Sequence, residues 1–502
     1  MSHHKSNVGW MFSVVLLAGL LPLFTASWSV ASAGTGIGDG AIGLRHFYLK
    51  NGDRVVFYGD SITEQRFYTT DVELYVRTRF PDLHVRFVNS GVGGDAVGGG
   101  WAGPVNLRLK RDVFSFKPNV VTIMLGMNDG RVQAFNQGIF DKYKNGYIHI
   151  IKSIKSHLPD ARIVLIAPSP FDDVTSPPQF PGGYNAVLIR YGQFVKKLAA
   201  KYDLGYANFN RPLVKVLQQA KKINPQLAKQ IIPQRVHPDA NGQLVMAEAL
   251  LKAWNAPAMV TAVDIHANTK LGVQSANTAV SALARTKGVI SWTQMDQALP
   301  MPIMDLHENW PQFPRILAKV GAPYNEVFSR SLWEAPAPNW KFTNPVTALV
   351  VKLCGFYHNL DSEMLRVQGL SAPRYTLKID GHWVGVFSRQ QLAAGVNLAR
   401  YNTPMMAQAY QVLHQIWHEA QVRFYIWRFV QLPLEKNRFN HGVWRWSFVG
   451  LPMGKSKRQA ELAQSLIGQL YKNLFKTVAS RAYQIAKPKP HQYTLSPVTA
   501  AG

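Results

Sequence analysis

The segment RVVFYGDS, Arg54 to Ser61, decides the fold. The run from Arg54 to Tyr58 has the length and the β-branched and aromatic composition of a buried strand, and Gly59-Asp60 marks a turn. Ser61 stands where the chain passes into a helical pattern at Thr63 to Arg79. A buried strand followed directly by a helix is the first half of a βαβ unit, so this segment predicts a parallel sheet.

The same alternation of short apolar runs and longer helical patterns continues to about Trp254. Further strands are predicted at Val85 to Asn89, Val120 to Leu125, Arg162 to Ile166 and Gly205 to Phe209. Further helices are predicted at Phe140 to His157, Ala186 to Tyr202 and Asn241 to Trp254. Five strands that alternate with helices predict one α/β domain, a flavodoxin-like, three-layer α/β/α arrangement around a parallel sheet.

The composition changes after Pro257. The stretch Leu299 to Pro345 is rich in proline and has no sustained hydrophobic period, which is typical of irregular structure, although Met259 to Val289 is strand-like and polar. Strands are predicted at Val346 to Cys354, Met364 to Gln368 and Tyr375 to Ile379, and Asp380-Gly381 predicts a hairpin with His382 to Phe387. These patterns predict a mixed β and α C-terminal region.

Two helices are predicted near the end of the sequence. Thr403 as N-cap and Pro404 in the first helical position favour a helix through about Phe429. A stripe of Leu462, Leu466, Leu470, Leu474 and Val478 favours another from Arg458 to Ala486. The predicted organisation is a leader at 1–33, an α/β domain at 34–258, a linker and irregular region at 259–345, a small β unit with a long helix at 346–455, and a basic helix and tail at 456–502.

The first residues resemble an export signal. Met11 to Ala26 is nearly all apolar and uncharged, Lys5 precedes it, and Ala31-Ser32-Ala33 is a small-residue cleavage signature. The apolar run is interrupted by Pro22 and is shorter than the ~20 residues that a membrane-spanning helix needs. We therefore favour a signal peptide cleaved after Ala33 over a membrane anchor, and expect a secreted or periplasmic protein.

Lys and Arg total 55 against 29 Asp and Glu, a formal charge of +26. This balance favours anionic partners, but neither a zinc-finger spacing nor an aromatic RNA-binding signature accompanies it, so we expect no nucleic acid partner. Cys354 is the only cysteine, and His414 and His418, four apart on a predicted helix, lack an evident third ligand. We expect no cofactor and no catalytic metal.

Polar groups follow the predicted strands at the edge of the sheet where ligands and reacting groups collect. Ser61 ends the first strand, Gly94 lies in a glycine-rich turn after the second, Asn128 follows the third, and His237 precedes the last helix of the domain. A serine hydroxyl becomes a useful nucleophile when an adjacent imidazole accepts its proton. Backbone N–H groups and an amide side chain can then stabilise the oxyanion that forms on an ester.

Four blocks in this order resemble the SGNH hydrolases, also called GDSL esterases: Gly59-Asp60-Ser61, the Asn89 to Gly94 turn, Gly126-x-Asn128-Asp129, and His237. The resemblance covers about Arg54 to Trp254. It implies that Ser61 is the nucleophile and His237 the general base. It also implies that Gly94 and Asn128 complete an oxyanion hole with the backbone N–H of Ser61.

One position departs from that pattern. The family's last block normally reads Asp-x-x-His, and Gln234 stands three residues before His237. A carboxylate there would orient the imidazole and stabilise its cation, whereas an amide supplies no charge. Three hypotheses follow: Gln234 is a neutral orienter in a Ser61–His237 dyad, another carboxylate such as Asp239, Asp172 or Asp173 replaces the missing one, or the enzyme is impaired. We favour the dyad.

The second half also resembles a C-terminal region that secreted bacterial SGNH hydrolases can carry, through Leu377 to Gly381, Leu392 to Ala399 and Thr403 to Ala409. That resemblance implies no activity of its own. We therefore expect an exported serine esterase that removes a short acyl group, such as acetyl, from a carbohydrate or small-molecule substrate. The alternatives are an impaired hydrolase that binds anionic polymers and, less favoured, a lipid esterase at a membrane surface. The sequence favours no particular oligomeric state.

Overall fold

The computed structural model describes residues 47–268, 270–305, 344–425 and 480–498, together with Phe342, Trp427, Gln469 and Asn473. The leader predicted at 1–33 lies outside these residues, and so does the leucine stripe predicted in the last helix. Much of the proline-rich stretch before Pro345 lies outside them as well.

The first half of the described chain is an α/β domain. Its strands are β1 (Arg54–Gly59), β2 (Arg86–Gly91), β3 (Gly99–Gly100), β4 (Gly103–Pro104), β5 (Val120–Met124), β6 (Arg162–Ala167) and β7 (Gly205–Asn208). Its α-helices are α1 (Ser61–Glu64), α2 (Phe67–Arg79), α3 (Val105–Asp112), α4 (Gln137–His157), α5 (Gly183–Tyr202), α6 (Asn210–Ile223), α7 (Pro225–Ile231) and α8 (Ala240–Ala253).

Five of these strands form one sheet in the order β2-β1-β5-β6-β7, and every neighbouring pair is parallel. The two-residue strands β3 and β4 pair with each other in antiparallel fashion. Strand β1 therefore lies between β2 and β5, which is the flavodoxin-like order. The predicted parallel α/β architecture and all five predicted strands are confirmed.

Helices α3, α6 and α7 are absent from the sequence-based prediction. The signal for α7 is nevertheless present in the sequence: Asn224 accepts hydrogen bonds from the backbone N–H groups of Gln226 and Leu227, both at 3.0 Å, and Pro225 occupies the first turn. An asparagine cap followed by proline is a common helix start, so this helix could have been predicted.

The C-terminal region contains strands β8 (Met259–Ala267), β9 (Leu271–Ala276), β10 (Thr278–Thr286), β11 (Val289–Asp296), β12 (Ser362–Gln368), β13 (Arg374–Ile379), β14 (His382–Ser388), β15 (Val396–Asn397) and β16 (Pro490–Pro497). Its described α-helices are α9 (Pro345–Cys354), α10 (Phe356–Asn359), α11 (Arg389–Ala394), α12 (Pro404–Tyr425) and α13 (Ser480–Ala486). The mixed β and α character predicted for this region is confirmed.

Two of the predictions for this region are wrong. The linker predicted at 259–345 begins with four strands, β8 to β11, so the linker assignment fails there, although the strand-like, polar pattern of Met259 to Val289 is confirmed. The strand predicted at Val346 to Cys354 is helix α9. Asn344 caps this helix by accepting from the backbone N–H of Val346 at 2.9 Å, and this start outweighs the β-branched composition that follows.

The strands of the C-terminal region form two sheets, β10-β11-β16-β13-β14 and β15-β12-β8-β9. Buried side chains from both, including Ile265, Trp292, Leu365 and Leu377, form one hydrophobic cluster. The predicted hairpin joins β13 to β14 through Asp380-Gly381, whose positive φ angles of 50° and 77° suit a two-residue turn.

Helix α12 begins as predicted. The hydroxyl of Thr403 accepts a hydrogen bond from the backbone N–H of Met406 at 3.2 Å, and Pro404 is its first residue. Ile416 of α12 and Val350 of α9 belong to the same buried cluster as the strands of the α/β domain. The main core therefore continues from the α/β domain into the C-terminal helices. No helix in the described ranges combines the length and apolar character needed to cross a membrane.

Candidate active site

Two neighbouring strands of the parallel sheet end side by side, since the register pairs Gly59 of β1 with Gly91 of β2. Asp60 follows β1, and its Oδ1 accepts a hydrogen bond from the backbone N–H of Ile62 at 3.0 Å, which caps helix α1. Ser61 is the first residue of α1. The strand-to-helix turn thus places its hydroxyl at the carboxyl edge of the sheet, as the sequence predicts.

The glycine-rich turn after β2 passes close to Ser61. A Cβ atom on Gly93 would lie 3.9 Å from the Cβ of Ser61, and the backbone N–H of Gly93 donates to Oε2 of Glu64 at 2.9 Å. Gly94 has a φ of 75°, in the left-handed region that favours glycine. No described residue accepts a hydrogen bond from the backbone N–H of Gly94 or Ser61, so both donors are available to a ligand.

Asn128 follows β5 and is fixed against the same turn. Its Nδ2 donates to the backbone carbonyl of Asp95 at 2.8 Å. An amide nitrogen carries two hydrogens, so this bond orients the side chain and leaves one donor for a ligand. The next residue, Asp129, accepts from the backbone N–H of Val97 at 3.0 Å and ties the two loops together a second time.

His237 lies within hydrogen-bond distance of Ser61, although 176 residues separate them in sequence. Its Nε2 is 2.8 Å from the Ser61 hydroxyl oxygen. Burial of the imidazole lowers its pKa below the ordinary histidine value, which favours the neutral form at pH 7. A neutral imidazole at this distance can accept the proton of the serine as it attacks a carbonyl.

Within the described residues, no orienting group reaches the other imidazole nitrogen. Among the described residues none forms a hydrogen bond with Nδ1 of His237, and the side chain of Gln234 is exposed. Asp239 caps helix α8: its Oδ1 accepts from the backbone N–H of Gly242 and its Oδ2 from Nδ2 of Asn241, both at 2.8 Å. The orienting role considered for Gln234 or Asp239 therefore has no counterpart in the described hydrogen bonds.

The two other carboxylates considered for that role are also engaged elsewhere. Asp172 accepts from the backbone N–H groups of Val174 at 3.0 Å and Thr175 at 2.8 Å and so holds its own turn. Asp173 forms an ion pair with Arg235 at 2.7 Å. The site thus resembles a serine–histidine dyad whose imidazole has no carboxylate partner in the described part of the chain.

A buried ion-pair network lies next to the glycine-rich turn after β2. It is not among the features predicted from the sequence. Arg108 of α3 donates through Nε to Oδ2 of Asp95 at 2.6 Å and through Nη2 to the carbonyl of Ser90 at 2.8 Å, and it also pairs with Asp112. The side chains of Arg108 and Asp95 are fully buried. The spacing of Arg108 and Asp112, four apart on one helix, was the available signal for the network.

Two of the four blocks also carry a buried carboxyl group beside their site residue in the sequence, Asp60 before Ser61 and Asp129 after Asn128. Burial raises the pKa of Asp60 and of Asp129 to about 7. Burial thus favours the protonated form of both carboxyls.

The histidine pair His414 and His418 lies on α12, as predicted, and burial lowers the pKa of both. In the described ranges no group of three or more His, Cys, Asp or Glu side chains is arranged to hold a metal ion.

Comparison with known proteins finds relatives of the α/β domain. A model of the GDSL-like lipase/acylhydrolase family matches residues 57–245, which include all four blocks. An acetylxylan esterase of Geobacillus stearothermophilus is 26% identical over 225 residues, covering 41% of this chain and 94% of that protein. A structure of the same esterase matches 41% of this chain and 96% of its own, at 23% identity and a TM-score of 0.34.

A second structural match extends through the C-terminal region. It is a gut microbial diltiazem-metabolizing enzyme that is 24% identical, covers 90% of this chain and 98% of its own length, and gives a TM-score of 0.69. At this identity the match shows a shared fold, including the mixed sheets that follow the α/β domain. The matched family model, the order of the four blocks and the parallel sheet that carries them lead us to conclude that residues 57–245 are similar to the GDSL-like lipase/acylhydrolase family of ester hydrolases, the SGNH hydrolases.

Proposed function

We propose that this esterase works through a covalent acyl-enzyme formed on Ser61. As Oγ of Ser61 bonds to the ester carbonyl carbon, Nε2 of His237 takes the hydroxyl proton. The negative charge on the carbonyl oxygen is met by the backbone N–H groups of Ser61 and Gly94 and by the free amide hydrogen of Asn128. The tetrahedral intermediate then expels the alcohol, which receives the proton from His237.

Hydrolysis of the acyl-enzyme repeats these steps with water. His237 takes a proton from water as its oxygen attacks the acyl carbon, and it returns that proton to Ser61 as the acid leaves. The observation that carries this proposal is the 2.8 Å contact between Nε2 of His237 and Oγ of Ser61, beside unengaged backbone donors. No step requires a metal or a cofactor.

The proposed substrate is a short acyl ester, with acetyl groups on a carbohydrate as the first choice. Support comes from the acetylxylan esterase relative, which matches the α/β domain over most of its own length. Export is part of the proposal and rests on the apolar leader and the Ala31-Ser32-Ala33 signature. An extracellular setting is where an esterase would meet an acetylated polysaccharide.

The experiment combines active-site labelling with product release. The wild type should bind a fluorophosphonate probe covalently and release acetate from p-nitrophenyl acetate and from acetylated xylooligosaccharides. Ser61→Ala should lose both reactions and keep the thermal unfolding midpoint of the wild type. Activity on the aryl ester alone would reject the carbohydrate substrate. Absence of labelling and of turnover in the wild type would favour the second candidate, an impaired hydrolase that binds polymers. The observation that favours this candidate is that no described residue bonds to Nδ1 of His237.

A further inference from the structure

Arg235 lies in the turn between α7 and α8, two residues before His237. Its backbone has a φ of 63°, a left-handed conformation that few residues other than glycine adopt and that is strained for an arginine. Such a conformation persists when surrounding contacts hold it in place. The contacts of Arg235 therefore hold this turn, which carries the general base.

The guanidinium of Arg235 forms several contacts with the loop 171–177. Its Nε donates to the carbonyl of Asp172 at 3.1 Å, and its Nη2 donates to Oδ1 of Asp173 at 2.7 Å and to the carbonyl of Pro177 at 3.0 Å. The same group stacks over the ring of Phe171, with 4.6 Å between Cζ and the ring centroid. The backbone adds a further bond, from the N–H of Asp172 to the carbonyl of Arg235 at 2.8 Å.

The loop 171–177 is itself bonded to helix α5 of the α/β domain. Oδ2 of Asp173 accepts from the backbone N–H of Asn185, in the first turn of α5, at 2.8 Å. The ring of Phe171 packs edge-on against Tyr184, with centroids 5.4 Å apart. The hydrogen bonds of Asp172 close the loop on itself. The turn before His237 is thus connected, through Arg235 and Asp173, to helix α5.

We propose that Arg235 is a positioning residue that holds the imidazole of His237 against Ser61. Its contacts with the loop 171–177, the Arg235 clamp, replace the orienting role that a carboxylate three residues before the histidine has in the SGNH pattern. The inference rests on the proposed function of the Ser61–His237 pair. Because no described residue bonds to Nδ1, the imidazole relies more heavily on the backbone that carries it than it would with a second hydrogen-bond partner. Arg235 fixes that backbone two residues away.

The clamp supplies geometry and little charge. Asp173 sits 2.7 Å from Nη2 and neutralises the guanidinium, so the pair neither stabilises nor repels an imidazolium strongly. A carboxylate in a complete triad would contribute both orientation and charge. The structure therefore predicts a catalytic base that is well placed but lacks electrostatic support, and whose efficiency depends on the clamp.

The first test is Arg235→Met, which keeps most of the length of the side chain and removes its hydrogen bonds and charge. We expect kcat on p-nitrophenyl acetate to fall by about 10- to 100-fold, the usual loss when an outer group that aligns a reacting one is removed, with KM within about two-fold of wild type. An unchanged kcat in a folded Arg235→Met variant would overturn the proposal.

Arg162 offers a matched control. It pairs with Asp53, donates to the backbone carbonyl of Tyr48 and stacks over the ring of Tyr48 at 4.8 Å, but it is the first residue of β6, at the amino edge of the sheet. Arg162→Met should lower the unfolding midpoint and leave kcat unchanged. An equal loss of kcat in both variants would mean that the Arg235 effect is only a loss of stability.

Arg235→Lys separates position from charge, since lysine keeps the charge but lacks the planar fork that reaches Asp172, Asp173 and Pro177 together. We expect it to lose much of the turnover that Arg235→Met loses. Wild-type turnover in Arg235→Lys would show that charge alone matters and would overturn the positioning role. This milder variant also serves if Arg235→Met does not fold.

A titration of His237 by NMR tests the clamp without turnover, with His237→Asn used to assign the resonance. The wild-type imidazole should titrate below about 6.5, the ordinary histidine value, and Arg235→Lys should shift its pKa upward as the ring gains access to water. An unchanged titration would contradict the proposal. If the wild type shows neither labelling nor turnover, the proposed function fails, while this titration still decides whether Arg235 positions the histidine.

Discussion

At the scale of single residues, the side-chain amide of Asn128 has both a structural and a chemical role. One hydrogen of its amide is used on the carbonyl of Asp95, and the other is available to a ligand. We expect Asn128→Ala to lower kcat by about 10²- to 10³-fold with little change in KM, because an oxyanion donor acts mainly in the transition state. Asn136→Ala, which removes only the cap of α4, is the control and should keep wild-type kcat. A pure rise in KM for Asn128→Ala would instead assign it to substrate binding.

The titration of His237 sets the acid side of the pH profile. The protonated imidazole cannot accept the Ser61 proton, and burial lowers its pKa, so activity is lost as pH falls through a value below 6.5. We expect kcat/KM measured from pH 4 to 9 to remain above half of its maximum at pH 6.5. Because the pKa of Asp129 is raised to about 7, Asp129→Asn serves as the control and should keep the same acid limb. An acid limb at or above 6.5, or one that disappears in Asp129→Asn, would contradict this assignment.

At the scale of elements, the sequence predicts most where local signals and tertiary structure agree. The strands of the parallel sheet are buried on both faces, so they appear as continuous apolar runs bounded by turns, and all five are predicted. The site residues follow these strands, which is why Ser61, Asn128 and the glycine turn can be placed on one edge. Strands β8 to β11 are polar and half exposed, and they carry no such run.

The role of Arg235 could not be predicted from the sequence. Its hydrogen bonds reach a loop more than 50 residues earlier in the chain, and their existence depends on how the loop after β6 folds back onto the histidine turn. The same holds for the pairing of Arg108 with Asp95 across two elements. Local patterns place residues on elements, whereas contacts between distant elements decide which polar groups meet.

The start of helix α12 provides a test at this scale. The buried hydroxyl of Thr403 accepts from the backbone N–H of Met406 at 3.2 Å, so Thr403→Ala should cost about 1 kcal/mol of unfolding free energy, the typical loss for an N-cap. Thr403→Ser keeps the hydroxyl and should recover most of that loss, as measured by urea unfolding. Equal destabilisation by both variants would show that packing of the methyl group matters and the cap does not.

At the scale of the whole molecule, the C-terminal helices complete the core of the α/β domain. Every residue of α2 is buried. Phe67 at its start stacks on Trp417 of α12 with ring centroids 5.6 Å apart, and the guanidinium of Arg77 lies over the ring of Tyr483 of α13 at 3.7 Å. The nucleophile's own domain therefore depends on helices that follow it by more than 300 residues, and we expect both parts to unfold together.

Ile416→Ala tests this dependence. The side chain lies on α12 but is 1% exposed within the main core, so its truncation should cost about 2–5 kcal/mol, the range for a large buried aliphatic residue. We expect the temperature at which esterase activity is lost to fall together with the midpoint of thermal unfolding. Ile189→Ala on α5, where the side chain is 43% exposed, should change neither. If the unfolding midpoint of Ile416→Ala falls while its inactivation temperature stays at the wild-type value, the α/β domain is stable without the C-terminal helices and the shared core is not what holds the active site together.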